Sequence, residues 1–324
     1  MRMKLVALVF CALALSLRAD PTNAVPVLPR VPAVAPSDAG KTFHLLDGFR
    51  MELIAAEPLV TDPVAMAYDE DGRAYVCEMN DYPYTDKARH KPNQENPTDE
   101  PIGKIRLLVD TDGDGKFDKS TVFADHLSWP TGVVCWKGGV FVAATPDIWY
   151  FKDTDGDGVA DVRKKLFTGF RKLNVQAVFN NFQWGLDNWI YGAGSSNGGE
   201  IRHADQPNAS PMRMSHHDIR FDPVTEAFEL LSGGARFGLG LDDWGNRFLC
   251  SIRQPAIHVV LPARYLARNT YAPVRSPIND AAEAGDDAAS GQLLDAVLVG
   301  LGRRAVITPH YSRTPLRIRG LLVN

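Results

Sequence analysis

Hydrophobic and polar positions along this chain fall into short apolar runs joined by tight polar turns. One such unit recurs four times: DPVAMAYDEDGRAYVCEM (Asp62 to Met79), WPTGVVCWKGGVFVAATP (Trp129 to Pro146), AVFNNFQWGLDNWIYGAG (Ala177 to Gly194) and RFGLGLDDWGNRFLCSI (Arg236 to Ile252). Each reads as a β-hairpin, with Val, Ile, Tyr, Phe and Trp in the flanks at strand-like lengths. The turns hold Asp71-Gly72, Lys137-Gly138, Asp187-Asn188 and Trp244-Gly245, because a tight hairpin demands residues that accept positive φ. Successive turns lie 66, 50 and 57 residues apart. Propeller blades run roughly 40 to 50 residues, so these are blade spacings with loop insertions. The pattern predicts an all-β chain and a β-propeller. A β-sandwich or a set of unrelated hairpins is the alternative.

The ends read differently. Residues 1–19 have a basic start, an apolar run from Leu5 to Leu17 and small residues after it. That is a secretory signal, and the run is too short for a good membrane span. Residues 20–40 are a Pro-rich linker. The propeller is expected over 41–285, and 286–324 is an atypical tail in which strand-turn alternation stops. Four blade units are recognisable, so the propeller reads as incomplete, and the tail as a truncation or frame disruption. The expected location is exported, periplasmic or at the cell surface, with no membrane span once the signal is removed.

Net charge of −4 and the absence of any basic run exclude a nucleic-acid partner. Cys11 leaves with the signal. Cys77, Cys135 and Cys250 remain, an odd number in apolar runs, which argues against a disulfide framework. No C-x-x-C-H sequence is present, so this chain attaches no haem.

Two segments nearly duplicate each other 43 residues apart. VDTDGDGKFD carries Asp110, Asp112, Asp114, Gly115 and Asp118; KDTDGDGVAD carries Asp153, Asp155, Asp157, Gly158 and Asp161. Carboxylates at loop positions 1, 3, 5 and 9 with Gly at 6 match the first part of a calcium loop. Position 12 is Thr121 or Lys164, so the bidentate Glu of an EF-hand is missing and the flanks are strand-like. The eight aspartates are the metal-ligand candidates. The competing reading is an Asp-rich turn held by side-chain to backbone hydrogen bonds.

GFRMELIAAEP (Gly48 to Pro58), WPTGVV (Trp129 to Val134), IWYFKDTDGDGVAD (Ile148 to Asp161), WGLDNWIYG (Trp184 to Gly192), HDIRFDP (His217 to Pro223), FGLGLDDWGNRFLCS (Phe237 to Ser251) and HVVLPARYLARN (His258 to Asn269) follow one another along the chain. Together they resemble the N-terminal propeller module of exported bacterial membrane-bound dehydrogenases, often joined to a haem-binding cytochrome domain. The resemblance extends, more distantly, to soluble quinoprotein sugar dehydrogenases. It implies a six-bladed propeller, Ca²⁺, pyrroloquinoline quinone and a cytochrome c domain or protein as partner. Those enzymes place a catalytic His before an inner-strand hairpin; the nearest segment here, Asn174 to Ala177, has none.

In a propeller, the start of each innermost strand lines the central tunnel. Asp62, Thr131, Gln176 and Arg236 are therefore the channel-lining candidates, and a polar ring of this kind suits a sugar or a quinone. His217 and Arg220 are the candidates for proton acceptor and anion clamp. The functional expectation is oxidation of a sugar or alcohol with electrons passed to a cytochrome. A non-catalytic propeller binding carbohydrate or protein, or a non-functional fragment, stands beside it.

Overall fold

A computed structural model describes residues 32–82, 100–252, 254–268, 271 and 274–281. The signal segment, most of the linker, the polar insertion over 83–99 and the tail from 286 lie outside these residues. The rest is almost entirely antiparallel β-structure. Blade one contains β1 (Pro63–Tyr68), β2 (Ala74–Glu78), β3 (Gly103–Val109) and β4 (Lys119–Leu127), hydrogen-bonded in that order. Blade two contains β5 (Pro130–Trp136), β6 (Gly139–Ala144), β7 (Asp147–Lys152) and β8 (Val162–Phe170). Then come β9 (Asn180–Trp184), β10 (Ile190–Ala193), β11 (Gly199–His203), β12 (Met212–Met214), β13 (His217–Phe221) and β14 (Phe228–Ser232). Blade three is β9, β10, β13 and β14, whereas the β11–β12 hairpin leaves it and pairs with β8, making blade two's sheet six-stranded. Blade four is β15 (Leu239–Leu241), β16 (Arg247–Leu249), β17 (Ile257–Val259) and β18 (Ile278–Asp280).

All four repeated units are the two inner strands of successive blades. The predicted turns take the backbone their residues favour: Gly72, Asn188 and Gly245 have φ of 78°, 63° and 79°. Blades one and two match in detail. Pro63 and Pro130 open their inner strands, each followed by a register shift, and each preceded by a left-handed residue, Asp62 (φ 43°) and Trp129 (φ 44°).

The core sits in the seams between blades. Tyr75, Cys77, Ile105 and Phe123 of blade one pack against Val133, Val140, Val142 and Phe151 of blade two. Phe141, Phe167 and Phe170 meet Phe182, Phe221 and Phe228 across the next seam, with Phe179 just before β9. Tyr191 and Ala193 meet Leu239, Leu249 and Ile257 across the third. Each buried aromatic contributes about 1.5–3 kcal/mol, so blade-to-blade packing holds the arc together. Cys77 is buried, and Cys135 and Cys250 are half-buried; all three are free. No helix among the described residues is long and apolar enough to cross a membrane.

An up-and-down blade puts its connections at two ends. The turns between first and second strands share one end with the loops between third and fourth strands. The chain enters each inner strand at the other end, called the entry end below.

Candidate functional site

The entry end carries a cavity of about 370 Å³ lined by Asp62, Pro63, Val64, Met79, Tyr82 and Val175. Three segments converge on it: the lead into β1, the connection after β2, and the 3₁₀ turn Val175–Ala177 that leads into blade three. Its floor is apolar, because Met79 and Val175 pack with Trp129 and Val178 in one buried cluster. Trp129 is fully buried. Its backbone N–H donates to Asp81 Oδ2 at 2.9 Å, and Lys172 Nζ lies 4.6 Å above its ring. The rim is polar. Asn80 Nδ2 donates to Thr61 Oγ1 at 3.1 Å and lies 3.4 Å from Asp62 Oδ2. Asp62 holds an exposed carboxylate on a left-handed backbone, which an Asp tolerates at some cost.

Of the four channel candidates, Asp62 lines the cavity and Gln176 is exposed directly beside Val175. The other two stitch blades together. Thr131 Oγ1 donates to the Phe179 carbonyl at 2.6 Å. The Arg236 carbonyl accepts from Asn180 Nδ2 at 3.1 Å. The Arg236 guanidinium lies 5.6 Å from the Phe237 ring, with its Nε buried and without a hydrogen-bond partner. Met79, Tyr82 and Val175 were not legible as site residues, because an apolar side chain in a connection carries no chemical signal.

His217 and Arg220 sit on β13, three residues apart, and so face opposite sides of the sheet. His217 Nδ1 is 2.6 Å from the Ser215 carbonyl. Arg220 lies 2.8 Å from Asp187, 2.6 Å from Glu229 and 3.1 Å from the Tyr191 hydroxyl, with Trp189 stacked 4.3 Å beneath it. The structure does not bring these two residues to one site. One of the two residues between them, Asp218, matters more. Asp218 is fully buried, accepts N–H bonds from Gly194, Gly234 and Ala235, and pairs with Arg247 of blade four. Burial pushes the Asp218 carboxyl up against the opposing pull of Arg247, and burial likewise pulls Arg247 down.

The Asp-rich loops connect β3 to β4 and β7 to β8. They occupy the same place in successive blades, at the end opposite Asp62. In the first loop, oxygens of Asp110, Asp112 and Asp114 lie within 4.8 Å of one another; in the second, those of Asp153, Asp155 and Asp161 do. Asp118 instead accepts from the Thr111 N–H and hydroxyl, and Asp157 from the Val159 N–H. Gly115 and Gly158 adopt φ of 87° and 88°, the bend that only Gly takes freely. Asp110 Oδ2 receives Gly115 N–H at 2.9 Å, and Asp153 Oδ2 receives Gly158 N–H at 2.8 Å. The N–H groups of Gly115 and Gly113 hold the Asp110 carboxyl below the usual carboxylate range. For Asp153, partial burial acts upward and the Gly156 and Gly158 N–H groups outweigh it. The Thr154 N–H and hydroxyl hold Asp161 low. All-oxygen, ionised donors on a tight bend fit a hard divalent cation.

A family model described as "Domain of unknown function (DUF7133)" matches residues 35–299. The chain belongs to the DUF7133 family. No curated protein matches this DUF7133 chain. Among solved structures it is similar to the holo pyranose dehydrogenase PQQ domain from Coprinopsis cinerea, at 14% identity over 75% of this chain and 52% of that one, TM-score 0.41. It is similar to the PQQ-bound aldose sugar dehydrogenase from Streptomyces coelicolor, at 16% identity over 59% and 56%, TM-score 0.35. It is also similar to a gluconolactonase from Xanthomonas campestris, at 14% identity over 62% and 58%, TM-score 0.37. The chain spans about half the length of the structures it matches.

Proposed function

We propose that this DUF7133 chain is an exported propeller module whose entry-end cavity binds a sugar or alcohol for oxidation, with electrons passing to a cytochrome partner. The observation that carries the reading is the cavity itself. The Asp62 carboxylate and the Asn80 amide rim an apolar floor of Met79 and Val175. A carboxylate and an amide suit hydroxyl groups, and an apolar floor suits the C–H face of a polyol. No side chain here stores two electrons, so oxidation needs a bound carrier such as pyrroloquinoline quinone. Among the described residues the cavity lining offers no cation for a quinone carboxylate, and Arg236, whose buried Nε is without a hydrogen-bond partner, is not part of that lining. Ca²⁺ in the two Asp-rich loops is structural in this reading, because those loops lie at the opposite end.

A second reading is non-catalytic binding of carbohydrate. One observation favours it: among the described residues that line the cavity there is no imidazole to take a proton. Dye-linked oxidation of a sugar and alcohol panel, with Ca²⁺ and quinone added, separates the two. Turnover that Asp62→Ala abolishes supports the enzyme. Calorimetric binding without turnover, lost in Asp62→Ala, supports the binder. Neither turnover nor binding would reject the cavity as a sugar or alcohol site.

A further inference from the structure

The entry-end cavity is far richer in hydrogen-bond acceptors than in donors. Among the described residues that line it, Asp62 is the one charged group, and no lysine, arginine or histidine stands opposite it. Asn80, beside Asp62, commits its amide N–H groups within the rim, to Thr61 Oγ1 and towards Asp62 Oδ2. Pro63, Val64, Met79 and Val175 present apolar side chains, and the remaining polar group of the lining side chains is the Tyr82 hydroxyl.

Asp62 is also held in place. Its carbonyl accepts the Met79 N–H at 3.1 Å, and the Thr61 N–H before it donates to Glu78 Oε1 at 2.7 Å. Glu78 is fully buried, and its own charge is met by Arg106 at 3.3 Å. The guanidinium that borders this strand end is therefore engaged by Glu78, and the Asp62 charge is left uncompensated. The Tyr82 N–H donates to the Met79 carbonyl at 3.1 Å, closing a turn that brings the half-exposed Tyr82 ring to the same cavity.

Resting on the reading of this cavity as a polyol site, we propose that its preferred ligand carries a primary ammonium group: an amino sugar or an amino alcohol in place of a neutral one. An ammonium only donates hydrogen bonds, which is what a fixed carboxylate without competing donors requires. A bond from a charged donor to a carboxylate is roughly twice as strong as one between neutral groups. The aromatic ring of Tyr82 attracts the same cation, while Met79 and Val175 take the C–H face of the ligand. A neutral sugar brings hydroxyls that both donate and accept, and leaves the Asp62 charge unmatched. A bare Ca²⁺ fits less well, since it seeks about six to eight oxygens and an apolar lining supplies few.

Isothermal titration of the full chain at about pH 6, where a primary amine is charged, tests it with glucosamine, glucose and N-acetylglucosamine. Glucosamine should bind about tenfold or more tightly than either neutral sugar. Asp62→Asn, which keeps the shape and removes the charge, should abolish that preference and leave glucose binding nearly unchanged. Raising the salt or deprotonating the amine should weaken glucosamine alone. Tyr82→Leu keeps an apolar contact and removes the π face, so it should weaken glucosamine more than glucose; this position is exposed and remains informative should the Asp62 variant fail to fold. Equal affinity for the three sugars, all lost in Asp62→Ala, would overturn the ammonium proposal and leave the polyol site standing. A glucosamine preference unchanged in Asp62→Asn and in Tyr82→Leu would place the ammonium elsewhere and overturn it as well. No binding of any of the three would overturn the proposal and the polyol site together.

Discussion

Asp218 of blade three and Arg247 of blade four form a buried ion pair, with Arg247 Nη1 3.2 Å from Asp218 Oδ2. The pair links two blades, and the other Asp218 oxygen gathers N–H groups from Gly194, Gly234 and Ala235. Arg247 in turn donates to the Ser232 carbonyl. Asp218→Ala should strand a buried guanidinium and three N–H groups together. The expected loss is about 3–5 kcal/mol. Asp218→Asn, which keeps the acceptor oxygen, should cost less. Replacing both partners with apolar residues should cost less than Asp218→Ala alone, because no charge is then left unpaired. Urea unfolding of the three variants checks the order.

The Asp-rich loops give a linked metal and pH prediction. Three carboxylates converge in each loop, and neighbouring charges of one sign repel by roughly 1 kcal/mol at 4 Å even in water. A cation removes that repulsion. Ca²⁺ at a hundred times its dissociation constant should stabilise the fold by about 2.7 kcal/mol per occupied loop. Asp110→Asn and Asp153→Asn should each remove one increment, and the double variant should melt alike with Ca²⁺ or chelator. Asp110, Asp153 and Asp161 have folded pKa values below the ordinary carboxylate range. Their contribution is therefore present above the unfolded-state value of about 3.9 and is lost as pH falls through the lower folded values. The Ca²⁺ increment should therefore be intact at about pH 4 and decline only as pH falls through the lower folded values. A calorimetric series against pH and Ca²⁺ checks both limits.

Which parts of this architecture the sequence discloses follows from the range of the forces involved. The four hairpins were readable because their cause is local: two apolar runs and a turn that needs Gly72, Lys137-Gly138, Asn188 or Gly245. The Asp-rich loops were readable for the same reason. The β11–β12 hairpin was not, because its place beside β8 is decided by pairing across a seam. Asp218 was hidden too. It stands between two more conspicuous residues, His217 and Arg220, and its value comes from Arg247, 29 residues away. Asp62 emerged from the place of an inner strand's start, but the cavity floor of Met79 and Val175 required the folded connections to meet.

The thiols should report on the seams. Burial pushes the Cys135 thiol up to about 12 and raises Cys77 further, so neither offers appreciable thiolate at neutral pH. Neither should react with iodoacetamide at pH 8 while the blades stay packed. Cys77 lies in the seam between blades one and two, so its labelling rate should follow opening of that seam. Rapid labelling of Cys77 in the native protein, timed by mass spectrometry, would contradict the packing described for that seam.

Asp62 separates strain from ligand contact. Its φ of 43° costs a residue with a Cβ about 1–3 kcal/mol, less for Asp than for Ala. Asp62→Gly relieves that cost but gives the unfolded chain more freedom, which offsets roughly 0.4–1 kcal/mol. The net expectation is a gain of about 1 kcal/mol for Gly and a loss of similar size for Ala, which keeps the backbone demand without the side chain. Both variants remove the carboxylate from the cavity rim, so both should lose ligand binding. Asp62→Asn tolerates the same backbone and should keep stability near that of the parent, with binding weakened in proportion to the lost charge. Stability and binding should therefore move in opposite directions in Asp62→Gly and together in Asp62→Ala. Equal melting temperatures for the Gly and Ala variants would show that the backbone at this position carries no strain.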